Sequence, residues 1–395
     1  VRKLLLPLLL GSIVLASCGG GGDIVPPTPF SAAIFGDVPY GTSPTDTSQQ
    51  ALLPAFVAAV NADKDVSLAF HGGDLHSGKE YCTKAYDQAM FQQYSKLTMP
   101  FVYVPGDNEW TDCHKAGEGG GTYNSTTGAI DYVKDASGNP VDYANGNPVD
   151  NLALVRSMFF PQPGTTLGGA MAVHSQGKEF DPAFPADAQF VENVWFEKNG
   201  VLFMTVNMPG GSNNDTDIWY GAPTMSAQQA TEVAERSAAN LRWIKVAFER
   251  AKAANDSAVV IVEQADMWDL DGKATNAHIA QYKPFIDAIA TQTTSFGKPV
   301  LLLNGDSHIF RSDNPLVKGS PCVYEPSSGA AAVACTFDSY DNQPNGYNVP
   351  NFHRVVWHGS TSPLEYLKLK VDVAANAANG TSAFGPFSWA RVKVQ

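Results

Sequence analysis

Apolar positions along the chain gather in six short runs, at residues 32–35, 66–70, 101–104, 201–206, 258–262 and 299–303. The runs are continuous rather than alternating, which predicts strands buried on both faces. Helical spacing fills three of the intervals: 49–60, 279–290, and a long amphipathic stretch at 226–254 whose apolar side carries Leu241, Trp243, Ile244 and Phe248. Strands alternating with helices predict an α/β domain. Residues 115–186 break the pattern. They are rich in Gly, Asn, Asp and Pro with few periodic runs, and are expected to form a long insertion over the surface. The chain shows no internal repeat, no Walker-type phosphate loop and no GxSxG elbow.

The N-terminus has a pattern of its own. Arg2 and Lys3 precede an apolar run over 4–16 that is too short to span a bilayer and fits a signal peptide. It ends in Leu15-Ala16-Ser17-Cys18, which resembles the bacterial lipobox. The expectation is therefore a signal peptide over 1–17, lipidation of Cys18, and a Gly/Pro-rich tether over 18–29. That tether would hold one domain, 30–395, at a membrane facing the periplasm or the cell surface. No later segment looks transmembrane.

Charge and cysteines narrow the picture. The formal charge is −13, and loss of Arg2 and Lys3 with the signal would make it more negative. Such an acidic chain argues against nucleic acid as the main partner, because phosphate binding needs clustered Lys and Arg. Besides Cys18 there are Cys82, Cys113, Cys322 and Cys335, an even number for an exported chain. No CxxC spacing is present, which disfavours a zinc knuckle. Pairing neighbours gives Cys82 with Cys113 and Cys322 with Cys335, each loop closure worth about 3–4 kcal/mol by chain entropy.

The chemistry lies just after the apolar runs. They are followed by Gly36-Asp37, by His71-Gly72-Gly73-Asp74, by Gly106-Asp107-Asn108-Glu109, by Glu263-Gln264, and by Gly305-Asp306-Ser307-His308. In open α/β sheets ligands bind outside the carboxyl ends of the strands. One edge of the sheet is thus expected to collect Asp37, Asp74, Asp107, Asn108, Gln264, Asp306 and His308. So many carboxylates cannot stay ionised together without a cation, so one or two divalent metal ions are expected.

This series, Gly-Asp, Gly-Gly-Asp, Gly-Asp-Asn-Glu, Gly-Asp-Ser-His, resembles the motifs of the calcineurin-like metallophosphoesterases over nearly the whole of 32–373. The stretch 192–207 and the helix carrying Trp243 are similar to the purple acid phosphatase branch. The resemblance implies an α/β sandwich of two mixed β-sheets flanked by helices, two metals sharing a bridging Asp, a small phosphorylated substrate, and phosphoester hydrolysis by a metal-activated hydroxide. Asp37 matches the first metal Asp and Asp74 the bridging one. Asp107 stands at the metal-binding Asn, and Asn108 at the His that contacts substrate or leaving group. Glu263 or Gln264 stands at a metal-binding His. Asp306 and His308 match the two histidines of the last motif, only the second kept as His.

Departures change what is expected. Two residues after Asp37, where the family has a His, stands Pro39, which cannot ligate; Tyr40 or His76 could compensate by position. One imidazole among oxygen ligands favours Mg, Mn, Ca or Fe over Zn. Asn108 can only hydrogen-bond, so a general acid is lost; His76 and Asn108 are the candidate catalytic residues. Asn213, after Pro209-Gly210-Gly211, is a candidate substrate contact or simply a turn residue. The insertion at 115–186 is expected either to wall the mouth of the site or to be a decorative surface loop, and the loop between Cys322 and Cys335 to add specificity. His71, His114, His353 and His358 read as structural. The alternative to a hydrolase is a non-catalytic lipoprotein binding a metal or a phosphorylated ligand on the same fold.

Overall fold

The computed structural model describes residues 27–394 except 215, 269–275 and 343–345. The signal peptide, Cys18 and residues 18–26 of the tether lie outside the described residues. Along the chain run β1 (Phe30–Phe35), α1 (Leu53–Ala62), β2 (Val66–His71), α2 (Lys84–Tyr94), β3 (Pro100–Tyr103), α3 (Pro148–Phe159), β4 (Val194–Lys198), β5 (Val201–Thr205), α4 (Ala227–Ala254), β6 (Ala258–Val262), α5 (Asn276–Phe296), β7 (Val300–Asn304), β8 (Phe352–Val356), β9 (Glu365–Val371) and β10 (Phe387–Lys393). Each of the six apolar runs coincides with a strand, and each predicted helix is present.

The strands form two mixed sheets. In the first, β1, β2 and β3 lie parallel side by side, and β9 and β10 continue antiparallel from β1. In the second, β5, β6, β7 and β8 are parallel, and β4 pairs antiparallel with β5 at one side. One apolar cluster lies between the sheets, joining Ile34, Leu68, Phe70 and Val104 of the first to Phe203, Val260, Val262 and Leu303 of the second. A second covers the outer face of the first sheet with Phe56, Val60, Met90, Tyr94, Val155 and Phe159 of α1, α2 and α3. A third covers the other outer face with Trp243, Phe248, Phe285 and Ile289 of α4 and α5. The result is an α/β sandwich of two mixed sheets flanked by helices, as the resemblance implies. Burying a side chain of this size contributes about 1.5–3 kcal/mol.

Local chemistry sets the helix starts. Thr83, Asn147 and Ser226 each accept a first-turn backbone N–H on the side chain, ahead of α2, α3 and α4. Pro148 opens α3, where its missing N–H costs nothing. The insertion is more structured than expected. It contains α3, packed into the outer core through Val155 and Phe159, a strand pair at Leu167–Gly168 against β3, and a hairpin of Gly121–Tyr123 with Ile130–Tyr132. Both expected disulfides form. Cys82–Cys113 ties the segments after β2 and β3, and Cys322–Cys335 staples the short pair Val323–Tyr324 and Val333–Ala334. Among the described residues no helix is long and apolar enough to cross a membrane.

Candidate metal centre

Because β1, β2 and β3 run parallel, the segments that leave them emerge at one edge, and β7 of the facing sheet ends opposite. Glycine lets these turns close. A Cβ on Gly36, Gly72 or Gly305 would stand 2.8, 1.9 or 2.4 Å from the Trp357 indole, which sits buried beneath all three turns. A Cβ on Gly106 would stand 2.1 Å from Asp74 Oδ1. The residues that follow are bent hard: Asp37, Asp74, Asp306 and His308 all have φ between 52 and 71°. Left-handed backbone at non-glycine residues costs about 1–3 kcal/mol each and gathers where side chains must be aimed.

The turns bring Asp37, Asp74, Asp107, Asn108, Gln264, Asp306 and His308 together, around an open cavity of about 600 Å³ whose wall includes Tyr40, Asp74, Asp107, Asn108, Asp306 and His308. Asp37 lies beneath it, fully buried, its Oδ2 accepting from Trp357 Nε1 at 2.5 Å and its Oδ1 from the Asp306 N–H at 3.0 Å. His308 Nε2 is 3.6 Å from Asp37 Oδ1. Tyr40 is a hub. Its hydroxyl donates to Asp74 Oδ2 at 2.8 Å, lies 3.1 Å from His308 Nε2, and accepts from Asn108 Nδ2 at 3.1 Å. Gln264 Nε2 reaches Asp74, Asp107 and Asp306 at 3.1–3.3 Å. Asp37, Asp74 and His308 offer ligand atoms all within 4.8 Å of one another.

The donors just described to Asp37, Asp74 and Asp107 are all neutral: indole, phenol, primary amide and main-chain N–H. Burial therefore dominates the electrostatics. It raises Asp37 despite His308 and the Trp357 bond, and lifts Asp74 well above the carboxylate range, with Asp107, Asp37 and Glu109 adding to the effect. Burial, then Asp74, pushes the Tyr40 phenol up, so it remains a neutral donor. Glu109 backs the site from behind. It accepts the N–H of Gly106 at 2.7 Å, that of Asp74 at 3.0 Å and the Tyr103 hydroxyl, and burial moves it up to about 7.

Several sequence expectations need correction. Gln264 does not offer an oxygen to the cluster: its Oε1 accepts from the Gly210 N–H at 2.5 Å, and the amide nitrogen faces the carboxylates. Glu263, the other possibility at that place, is fully buried, with no hydrogen-bond partner among the described residues on either carboxylate oxygen, and burial raises it to about 8. The His76 ring packs edge-on against Tyr86, 5.3 Å between centroids, with Nδ1 near the Ser77 carbonyl; what His76 gives the site is its main-chain oxygen, which accepts from Asn108 Nδ2 at 2.9 Å. Of the two residues that could compensate for Pro39 by position, Tyr40 is the one whose side chain reaches the cluster. Asn213 is buried and held by Arg236, Ser237 and the Tyr282 hydroxyl, a bracing residue of its loop rather than part of the cavity wall. The cavity wall draws on residues 40–42, 49, 74, 77–79, 107–108, 306, 308 and 360, and not on the insertion.

The histidines read as structural have partners away from the cavity. His71 is buried with Nε2 at 3.0 Å from the Val38 carbonyl, His353 meets Ser312 and Asn379, and His358 meets Glu325 at 2.7 Å. Asp112, His114 and Asp217 also gather, but there Lys115 already bridges the two carboxylates at 2.6 and 2.8 Å. Trp357 and Tyr103 are the partners that the sequence signals least, whereas Glu109 stands within the Gly-Asp-Asn-Glu series. Both sulfurs of the Cys82–Cys113 bridge lie against the Asn108 carbonyl, at 3.2 and 3.5 Å, so the bridge supports this edge of the site.

No protein-family model and no curated protein matches the chain. Among solved structures, a purple acid phosphatase from yellow lupin (Lupinus luteus) seeds aligns at 13% identity and a TM-score of 0.39, over 94% of this chain and 52% of its own. A protein of Thermus thermophilus aligns at 10% identity and a TM-score of 0.38, over 93% of this chain and 100% of its own. This chain spans about half the length of the lupin phosphatase. The functional reading rests on the site's own residues.

Proposed function

We infer that the protein is an exported, metal-dependent phosphoester hydrolase acting on a small phosphorylated substrate. The observation that supports this most is the convergence of Asp37, Asp74, Asp107 and Asp306 with His308 at an open cavity, held by neutral donors. Buried carboxylates repel one another unless protons or a cation intervene. Asp37, Asp74 and His308 would hold a divalent cation, and two oxygen donors to one nitrogen favour Mg, Mn, Ca or Fe over Zn. When bound, such a cation polarises a phosphoryl oxygen and makes water a stronger nucleophile.

The protein's own groups do the rest. Tyr40 orients Asp74, and Asn108, anchored on the His76 carbonyl, presents its amide at the cavity wall as a donor for a phosphoryl oxygen. Lys79 on the same wall adds a positive charge that attracts a phosphate. With Asn108 where a proton donor would serve the leaving group, esters whose leaving groups need little protonation are the fitting substrates. Two disulfides support an oxidising compartment outside the cytoplasm.

One observation favours a second reading, a non-catalytic protein that binds a metal or phosphorylated ligand: Asn108 cannot transfer a proton. Activity decides between them. The purified chain with Mn²⁺ is expected to hydrolyse an aryl phosphate monoester or diester, with turnover abolished by EDTA. Metal binding without turnover of either ester would reject the hydrolase in favour of the binder.

A further inference from the structure

The Gln264 amide is fixed the wrong way round for a metal ligand. The Gly210 N–H at 2.5 Å claims Oε1, which leaves Nε2 aimed at Asp107 Oδ1 at 3.1 Å and at Asp74 Oδ2 and Asp306 Oδ1, both at 3.3 Å. An amide nitrogen donates two hydrogens and offers no lone pair, so here it serves carboxylates and cannot coordinate. The surroundings are cut to fit it. A Cβ on Gly210 would stand 2.4 Å from Asp107 Oδ2 and 2.5 Å from Asp306 Oδ1, so only glycine lets the main chain close over the amide. A Cβ on Gly73 would come within 3.0 Å of Gln264 Cγ, so glycine there leaves room for its stem.

Asp74, Asp107 and Asp306 are the carboxylates that a second cation would need, with Asp74 as the bridge. An NH₂ group and a cation cannot share one centre, because both present positive charge to the same oxygens. The residues on this side do not fit a second metal, whereas those on the Tyr40 side fit one. We propose that the protein holds a single divalent cation, at Asp37, Asp74 and His308, and that the Gln264 amide stands in for a second as an uncharged donor to Asp74, Asp107 and Asp306. This rests on the reading of the cluster as a metal site. It implies that the hydrolase works with one cation on a scaffold with room for two sets of ligands.

The test counts ions on the intact folded chain. Wild type and Gln264→His are dialysed to equilibrium against Mn²⁺, then analysed for bound manganese and by electron paramagnetic resonance. Wild type is expected to hold one equivalent with the spectrum of an isolated ion. Gln264→His, which replaces the amide with a ligand, is expected to hold two with the spectrum of an exchange-coupled pair. Two equivalents in wild type would overturn the proposal and leave the metal site standing; none would overturn both. A folded Gln264→His that stays at one equivalent would also overturn it, since the amide would not be what keeps the second ion out. Should that variant not fold, Gln264→Glu supplies the same comparison with an oxygen ligand.

Discussion

Two acidic clusters stand side by side in this protein and are neutralised in opposite ways. In one, Asp266 and Asp313 flank the fully buried Arg354, whose guanidinium meets Asp266 at 2.6 Å and Asp313 at 2.8 and 2.9 Å. In the other, Asp37, Asp74, Asp107 and Asp306 are held by an indole, a phenol, an amide and main-chain N–H groups. They touch: the Asp266 N–H donates to Asp306 Oδ2 at 3.3 Å, and Ser307 Oγ donates to Asp266 Oδ2 at 3.0 Å. Burial acts on both and is the largest single influence, yet at Asp313 Arg354, with Arg311 and Ser339, together outweigh it and the carboxyl ends below the ordinary value, while Asp37 and Asp74 end above theirs. A cluster that brings its own arginine is finished as a structural element. A cluster whose hydrogen-bond donors are neutral keeps much of its mutual repulsion, which is the feature that supports the proposed cation.

The largest way to break this comparison is Arg354→Met. It takes the nearest counter-ion from two buried carboxylates, leaving Arg311 at 4.0 Å from Asp266, and removing one partner of a buried pair costs about 3–5 kcal/mol. Chemical denaturation should show a loss of that size relative to wild type, the same with and without added Mn²⁺. Next comes the cation itself. Binding only to the folded state at one hundred times Kd stabilises by about 2.7 kcal/mol, so Tm should rise with Mg²⁺, Mn²⁺ or Ca²⁺ and fall back with EDTA. Asp74→Asn should abolish that rise; an undiminished rise would remove Asp74 from the site. The smallest effect sharpens the contrast through pH. The folded state depresses Asp313 from 3.8, so its contribution is complete above that value and is lost as pH falls through the folded one. Acid melts of wild type should show this loss below about pH 4, and Asp313→Asn should lack it.

Much of this architecture is legible in the residues, and the gaps have physical causes. The runs at 32–35, 66–70, 101–104, 201–206, 258–262 and 299–303 announce strands because both faces are buried. β9 is less visible, since Lys368 and Lys370 alternate with Leu367, Leu369 and Val371. β8 hides because His353 and Arg354 occupy fully buried positions, satisfied by Ser312 and by Asp266 and Asp313. α2 buries Asp87 beside Met90 and Tyr94, which blurs its apolar face. Leu152, Val155 and Phe159 of α3 keep helical spacing within a stretch otherwise rich in Gly, Asn and Pro.

At the site, the Gly-Asp pairs can be read because turn chemistry and ligand chemistry coincide in them. Side-chain direction cannot be read from the chain alone, and so His76 and Gln264 face differently from what their positions suggest. Trp357 looks like any core tryptophan until the fold brings it to Asp37, 320 residues away in sequence.

Trp357 also bears on how this sequence can vary. Gly36, Gly72 and Gly305 precede or adjoin three of the aspartates, and a motif search credits them to the turn. Their lack of a side chain is equally demanded by the indole they share, since a Cβ on any of them would overlap it. Four positions on two sheets are therefore one unit of inheritance. An alanine at Gly36 or Gly72 should be tolerated only alongside a smaller residue at 357, which would give up the N–H that holds Asp37; at Gly305 its Cβ would in addition stand 2.4 Å from Asp37 Oδ2. Variation here is epistatic: the viable paths change the aromatic and its glycines together or leave all four alone.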